Sequence, residues 1–282
     1  MFRRLRWIFF GLCDELAHNL LPSQQICDVP PKRVLVTGGT SGIGEATCRR
    51  LGANAIVGGR NMTRAREIAS EIGASCVRVD LSSPAAAVAS ARRARAFHPD
   101  VLVNNAAVMG KSRSETMRVN VVATAAFTRA LGAPVVVNVG SSSHLRAQRF
   151  TDPKLLADDT KDDLRAYAAS KLCLMHYSQL LREEGVCVRD CHPGIVWTPM
   201  LKEYLRYPNL VEATGLRRLL FKHPAAAATS LLTAAFLPNN LTGYVVHNRL
   251  QPPTSLRISP AVHDPKAIAW TKENILKEIY TT

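Results

Sequence analysis

Residues 32–50, "KRVLVTGGTSGIGEATCRR", set four glycines (Gly38, Gly39, Gly42 and Gly44) between an apolar run and a helical pattern. Arg33-Val-Leu-Val36 is short and β-branched, as expected of a strand buried on both faces. From Ile43 onward apolar and polar residues fall at helical spacing. Glycines at such a junction allow backbone angles that other residues resist and let another group approach bare backbone. A helix N-terminus offers unpaired N–H groups and partial positive charge, so its natural guest is a phosphate. Gly38, Thr40, Ser41, Gly42, Ile43 and Gly44 are therefore candidates for a phosphate cradle. A glycine-rich turn alone also fits an ordinary loop, so the surrounding chain has to decide.

The surrounding chain repeats one unit. Ala55-Ile-Val57 reads as a second strand and is followed by a helical stretch to about Ile72. Cys76–Leu81 reads as a third strand, with an alanine-rich crossover helix from Pro84 to Ala96. Val101–Asn104, Pro134–Val139 and Val186–Cys191 supply a fourth, fifth and sixth, and long helical patterns precede the last two. Such alternation implies an α/β fold with a parallel, doubly wound sheet and helices on both faces. In these sheets ligands bind beyond the carboxyl ends of the strands, where strand order reverses. The informative motifs all fall at such ends, which strengthens the nucleotide reading.

Composition agrees with one large domain: 282 residues, 47% hydrophobic and 21% charged. Seven cysteines without a CxxC pair suit buried, reduced thiols, and no metal-ligand set is assigned. The net charge of +14 fits nucleic acid, an anionic membrane or a phosphorylated cofactor. The Lys and Arg residues are dispersed and form no recognisable nucleic-acid module, so nucleic acid is not expected as a partner.

Residues 1–31 form a separate N-terminal segment. Its uninterrupted apolar run, Trp7 to Cys13, is far shorter than the roughly 20 residues needed to span a bilayer. Read as a helix, Leu5, Ile8, Phe9, Leu12, Leu16 and Leu20 share one face, with Arg3, Arg4 and Arg6 at its start. That is the pattern of a helix lying in a membrane interface, with contact through residues 4–21. A targeting segment, a helix packed on the protein itself and a dimer contact are the alternatives. Asp14 and Glu15 weaken the mitochondrial reading, because transit peptides are poor in acids. A membrane-associated intracellular location is expected ahead of a cytoplasmic or mitochondrial one.

Chemistry enters with "LRAYAASKLCLMHYSQLLREE". Tyr167 and Lys171 are four apart and share one helix face. A phenol titrates near 10, and a neighbouring ammonium favours its ionised form, making it a usable acid/base. Ser141, after the fifth strand, would lie at the same end of the sheet, where its hydroxyl could hold a substrate oxygen. Taken singly, each also fits a helix face or a turn.

The order of phosphate turn, Asn104-Asn-Ala-Ala107, Asn120, Ser141, Tyr167/Lys171 and His192-Pro-Gly-Ile-Val-Trp-Thr198 resembles the short-chain dehydrogenase/reductase family from about Lys32 onward. The resemblance implies a single Rossmann domain of about seven strands over 32–282, with a substrate lid at about 199–222. It implies a catalytic set of Asn120, Ser141, Tyr167 and Lys171. Asp80 and Leu81 would meet the adenine, Asn105 and Ala106 would stand in the N-N-A-G element, and Pro193, Gly194, Val196 and Thr198 would line the nicotinamide and its phosphate. Ala107 replaces the last glycine of that element. "VNVGSSSH", "HPGIVWTP" and "LTGYVVHN" are similar to the retinol-dehydrogenase-like branch, which implies a lipophilic alcohol or carbonyl substrate of retinoid, steroid or aldehyde type. Only ten residues separate Met109 from Asn120, fewer than that branch carries in a region that also serves its homodimer contact.

The cofactor expected is NADP. At the end of the second strand an acid binds the ribose 2′-hydroxyl of NAD, but this chain offers Gly58, Gly59, Arg60 and Asn61. A guanidinium suits a 2′-phosphate instead. Arg64 and Arg66 on the next helix are expected to add to the positive field. The rival reading is a dinucleotide-binding scaffold or regulatory protein with little turnover, against which the intact Asn–Ser–Tyr–Lys set argues.

Overall fold

The computed structural model describes residues 30–147, 163–205, 208–214, 217, 220–246, 248–252, 255 and 257–280. The N-terminal segment proposed for membrane contact, residues 4–21, lies outside them. Among the described residues no helix is long and apolar enough to cross a membrane.

The chain begins with β1 (Val34–Thr37), α1 (Gly42–Leu51), β2 (Ala55–Gly59), α2 (Met62–Ile72), β3 (Ser75–Arg78), α3 (Pro84–Arg95) and β4 (Val101–Asn104). A helical segment follows: α4 (Arg113–Met117), a π-helical turn (Arg118–Ala123) and α5 (Thr124–Leu131). Next come β5 (Val135–Val139), a 3₁₀ turn (Ser142–Arg146), α6 (Asp163–Glu183) and β6 (Cys187–His192). The chain closes with α7 (Pro199–Tyr204), α8 (Pro208–Ala213), α9 (Pro224–Phe236), β7 (Gly243–Val246), β8 (Arg249–Gln251), α10 (Pro265–Asn274) and α11 (Lys277–Tyr280).

The sheet order is β3-β2-β1-β4-β5-β6-β7-β8, parallel except for antiparallel β8. Strand order therefore reverses between β1 and β4, and a crevice opens beyond their carboxyl ends. Successive strand residues point to opposite layers. Val34, Val36, Val101, Val103, Val135 and Val137 pack with α1 and α9 residues such as Cys48, Leu51, Leu231 and Leu232. Leu35, Ile56 and Leu102 pack on the other face with Ala87, Ala91 and Phe127. Both faces being covered is why the strands read as unbroken Val/Leu/Ile runs.

Polar residues interrupt these runs where the strands end. Register pairs Asn104 with Asn138 and Asn138 with Asp190. Asn104 Nδ2 donates to Asn138 Oδ1 at 2.8 Å, Asn138 Nδ2 to Ser178 Oγ at 2.8 Å, and Ser178 Oγ to Asp190 Oδ1 at 2.6 Å. Arg182 closes the row on Asp190 at 2.7 Å. Burial raises the Asp190 carboxyl against the pull of Arg182. Partnered in this way at every member, with only Asn104 Oδ1 unsatisfied among the described residues, the row can be buried. It ties β4, β5 and β6 to α6, the helix that carries Tyr167.

The eighth strand extends the expected sheet of about seven. It is three residues long, half-buried or exposed, and joined through Asn248 at φ 59. So short a run carries no hydrophobic period of its own.

Candidate active site

The glycine turn leaves β1 and enters α1 with space that only glycine leaves. A Cβ on Gly44 would fall within van der Waals contact of the Gly38 carbonyl oxygen and 2.5 Å from Asn105 Nδ2. Gly42 sits at φ 55, a left-handed conformation, facing Thr198. Ser41 is the N-cap of α1, yet its side chain makes no capping hydrogen bond. The amides of the first turn are thus left to a ligand, and the turn fits a dinucleotide phosphate.

Thr37 at the end of β1 and Asn105 just past β4 brace this turn. Asn105 Nδ2 donates to the carbonyls of Thr37 at 2.9 Å and Gly38 at 3.3 Å. The amides of Asn105 and Ala106 donate to Thr37 Oγ1 at 3.1 and 3.0 Å. Asn105 and Ala106 also line the cleft, so the pair both shapes the phosphate turn and walls the site.

That cleft holds about 2000 Å³. Gly38, Thr40, Ser41, Gly42, Ile43, Arg60, Leu81, Asn105, Ala106, Ser141, Tyr167, Lys171, Pro193, Gly194, Val196 and Thr198 all line it. Gly44, Asp80 and Asn120 stand behind this surface. Asp80 Oδ1 accepts the Ser82 amide at 3.0 Å, and that bond leads the causes holding its carboxyl below the ordinary range, with Arg78 and Arg60 adding to it.

Arg60 is exposed at the end of β2 and makes no hydrogen bond or ion pair among the described residues. Arg64, expected to add to the positive field, is instead paired with Glu45 at 2.7 Å and Glu67 at 3.2 Å. Its charge is largely spent within the two helices. Of Arg60, Arg64 and Arg66, Arg60 is the one that lines the cleft, where it can meet an anion.

Lys171 is 3% exposed on α6 and donates from Nζ to the Val139 carbonyl at 2.7 Å. Burial lowers it to about 8. Its Nζ lies 5.5 Å from the Tyr167 ring centroid. The sequence leads one to expect that this ammonium lowers the phenol. The balance runs the other way: burial pushes Tyr167 up to about 12, opposed only by its hydrogen bond with Ser141. At neutral pH the phenol therefore holds its proton. Such a group is a donor to a carbonyl oxygen.

Ser141 ends β5. Its Oγ donates to Ser143 Oγ at 2.9 Å and accepts the Ser143 amide at 3.2 Å. Asn120 lies in the π-helical turn, 1% exposed. Its Oδ1 accepts the Val108 amide at 2.8 Å, and its Nδ2 donates to the Val108 carbonyl at 2.9 Å and Ser170 Oγ at 3.0 Å. Both amide protons are committed, so what the side chain does is fix Val108 at the cleft wall. The extra residue of a π turn is a device found at functional sites.

Three residues that sequence reasoning passed over also shape the site. Ser143 is the serine two after Ser141, indistinguishable in "GSSSH" from turn filling. His144 is fully buried and lowered to about 4 by burial. Trp197 is 5% exposed beneath the proposed lid, its Nε1 donating to Glu212 at 3.0 Å while Lys202 pairs with Glu212 at 2.7 Å. A lone tryptophan in a loop carries no sequence signal for such a contact.

Residues 32–147 match the family model for short chain dehydrogenase. Human polyprenol dehydrogenase is 30% identical over 257 residues, 78% of this chain and 77% of that protein. Retinol dehydrogenase 13 of Mus musculus is 28% identical over 264 residues, 81% and 78% of the two chains. A short chain dehydrogenase from Burkholderia cenocepacia J2315, solved in complex with NADP, superposes with a TM-score of 0.58 at 25% identity, over 77% of this chain and 96% of that one. By these likenesses the chain belongs to the short-chain dehydrogenase/reductase family of oxidoreductases, on its retinol-dehydrogenase-like side.

Proposed function

We propose that this protein is an NADP(H)-dependent oxidoreductase acting on a lipophilic alcohol or carbonyl compound. The observation that carries the reading is one cleft that joins the phosphate cradle, Arg60, which has no ion-pair partner among the described residues, and Ser141 beside Tyr167 and Lys171. The nicotinamide, when bound, supplies or accepts the hydride. Tyr167 passes its proton to the substrate oxygen or takes it back, and Ser141 holds that oxygen by hydrogen bonding. Lys171 anchors the end of β5 through Val139 and places a cation beside the phenol. Pro193, Gly194, Val196 and Thr198 line the cleft and would hold the nicotinamide.

A lipophilic substrate is supported by the rest of that wall. Met109, Leu145, Leu164, Met200, Leu201 and Leu205 line the cleft around Ser141 and Tyr167. Apolar surroundings with a few convergent polar groups are what such a ligand needs. The relatives' names, polyprenol and retinol dehydrogenase, point the same way.

The cofactor half is tested at Arg60. Charge-assisted hydrogen bonds to a 2′-phosphate contribute roughly 1.5–3 kcal/mol, which is about a ten- to hundredfold preference for NADPH over NADH. Arg60→Ala should remove most of that preference and leave NADH affinity nearly unchanged. Dissociation constants for both cofactors with both proteins decide it. Equal affinities in the wild type, or a preference that survives the substitution, would sink the NADP assignment.

A further inference from the structure

The Ser141 carbonyl is held by a buried histidine that does not itself line the cleft. His144 Nδ1 lies 2.6 Å from the Ser141 carbonyl, and the His144 amide donates to the same oxygen at 3.2 Å. On the far side of the ring, Nε2 lies 3.2 Å from the amide nitrogen of Ser259. The Tyr244 ring meets the imidazole edge-on, with centroids 5.4 Å apart.

These contacts fix the tautomer. A carbonyl only accepts, so Nδ1 carries the proton. A backbone amide only donates, so Nε2 is bare. The ring can satisfy both partners in no other neutral form.

The neighbouring residues show what this link adds. Val139 is tied through its carbonyl to Lys171, and the Gly140 amide donates to the Cys191 carbonyl at 2.8 Å. The strand is thus pinned up to Gly140. Beyond it the chain turns into the 3₁₀ segment, and Ser141 is the first residue the sheet no longer holds. Its carbonyl is held by His144 alone among the side-chain contacts of the described residues. The other end of the link is the C-terminal stretch, whose Ser255 and Arg257 line the cleft. That stretch is itself clamped to α6 by His176, which donates to the Ala261 carbonyl at 2.8 Å and accepts from Thr271 at 2.7 Å.

We propose that His144 is a positioning residue that sets the Ser141 hydroxyl against Tyr167 and couples the C-terminal wall of the cleft to the reacting centre. This rests on the oxidoreductase reading above. Small displacements of a group at the reacting atoms cost rate rather than cofactor affinity, since the phosphate cradle and Arg60 lie on other elements.

Two variants and one spectrum test it. His144→Phe keeps the ring and removes both polar contacts, and should lower kcat by roughly 10–100-fold while the NADPH dissociation constant stays within about threefold. His144→Asn places an amide Nδ2 near the position of Nδ1, can still donate to Ser141, and should recover most of the lost kcat. A merely structural role would lower cofactor binding with kcat and would not be rescued by Asn. His144→Phe with kcat within about threefold of wild type, or Asn as impaired as Phe, would overturn the proposal. Nitrogen-15 spectra of histidine-labelled wild-type protein read the tautomer independently of turnover. A neutral Nδ1–H ring at pH 7 is expected, and an Nε2–H or protonated ring overturns the proposal even if a variant fails to fold. Absence of wild-type turnover would instead count against the oxidoreductase reading, leaving the tautomer result to stand on its own.

Discussion

Tyr167→Phe is expected to lower kcat by at least about 10²–10⁴-fold while NADPH continues to bind. The ring lines the cleft on α6, and its hydroxyl is hydrogen-bonded with Ser141. Burial holds the phenol near 12, so at neutral pH it keeps the proton that, on the proposed function, goes to a carbonyl oxygen. Phenylalanine keeps the ring packing and removes that proton alone. The cradle at Gly38–Gly44 lies on another element and should be untouched. Steady-state turnover and NADPH binding on the same preparation check both halves. A variant retaining more than a tenth of wild-type kcat would remove Tyr167 from its role.

Gly44→Ala should damage both the fold and the cofactor site. The new Cβ would meet the Gly38 carbonyl and the Asn105 amide, and that amide is already bonded to the Thr37 and Gly38 carbonyls. The Gly38 carbonyl is backbone and the Asn105 amide is held by two hydrogen bonds, so backbone has to move. Overpacking of this kind costs about 1–3 kcal/mol, which in a domain of this size corresponds to roughly 2–6 °C in Tm. Because the part that moves is the phosphate turn, NADPH affinity should fall at least about tenfold, each 1.4 kcal/mol being a factor of ten. Melting curves with and without saturating NADPH check it. Unchanged Tm and affinity would mean that the turn is looser than its packing implies.

Much of this was legible in the residues, for physical reasons that differ along the chain. The parallel strands are buried on both faces, so β1, β2, β4 and β5 announce themselves as short Val/Leu/Ile runs. The strand ends were less distinct. β3 stops at Arg78, not Leu81, because Asp80 turns back onto the Ser82 amide. β2 runs on through Gly58 and Gly59, which read as a turn but lie buried in the sheet. β8 left no period to detect.

The site was legible where chemistry demands particular side chains at particular strand ends. Ser141, Tyr167, Lys171 and the glycine turn converge in one cleft as their order along the chain suggested. What the residues concealed were interactions set by tertiary distance. Arg64 is taken up by Glu45 from another helix. The Tyr167 phenol is governed by burial more than by the ammonium four residues on. Both amide protons of Asn120 go to Val108 and Ser170. His144 reaches a partner 115 residues away. No local pattern encodes such pairs.

The most direct test of the account is turnover by the purified full-length chain. NADPH consumption would be followed against retinal, steroid ketones and long-chain aliphatic aldehydes, with Tyr167→Phe as the control. The account expects NADPH-dependent reduction of at least one of these lipophilic carbonyls, lost in the control and weaker with NADH. A protein that binds NADPH tightly but turns over none of them, at rates indistinguishable from Tyr167→Phe, would contradict it and leave a dinucleotide-binding scaffold in its place.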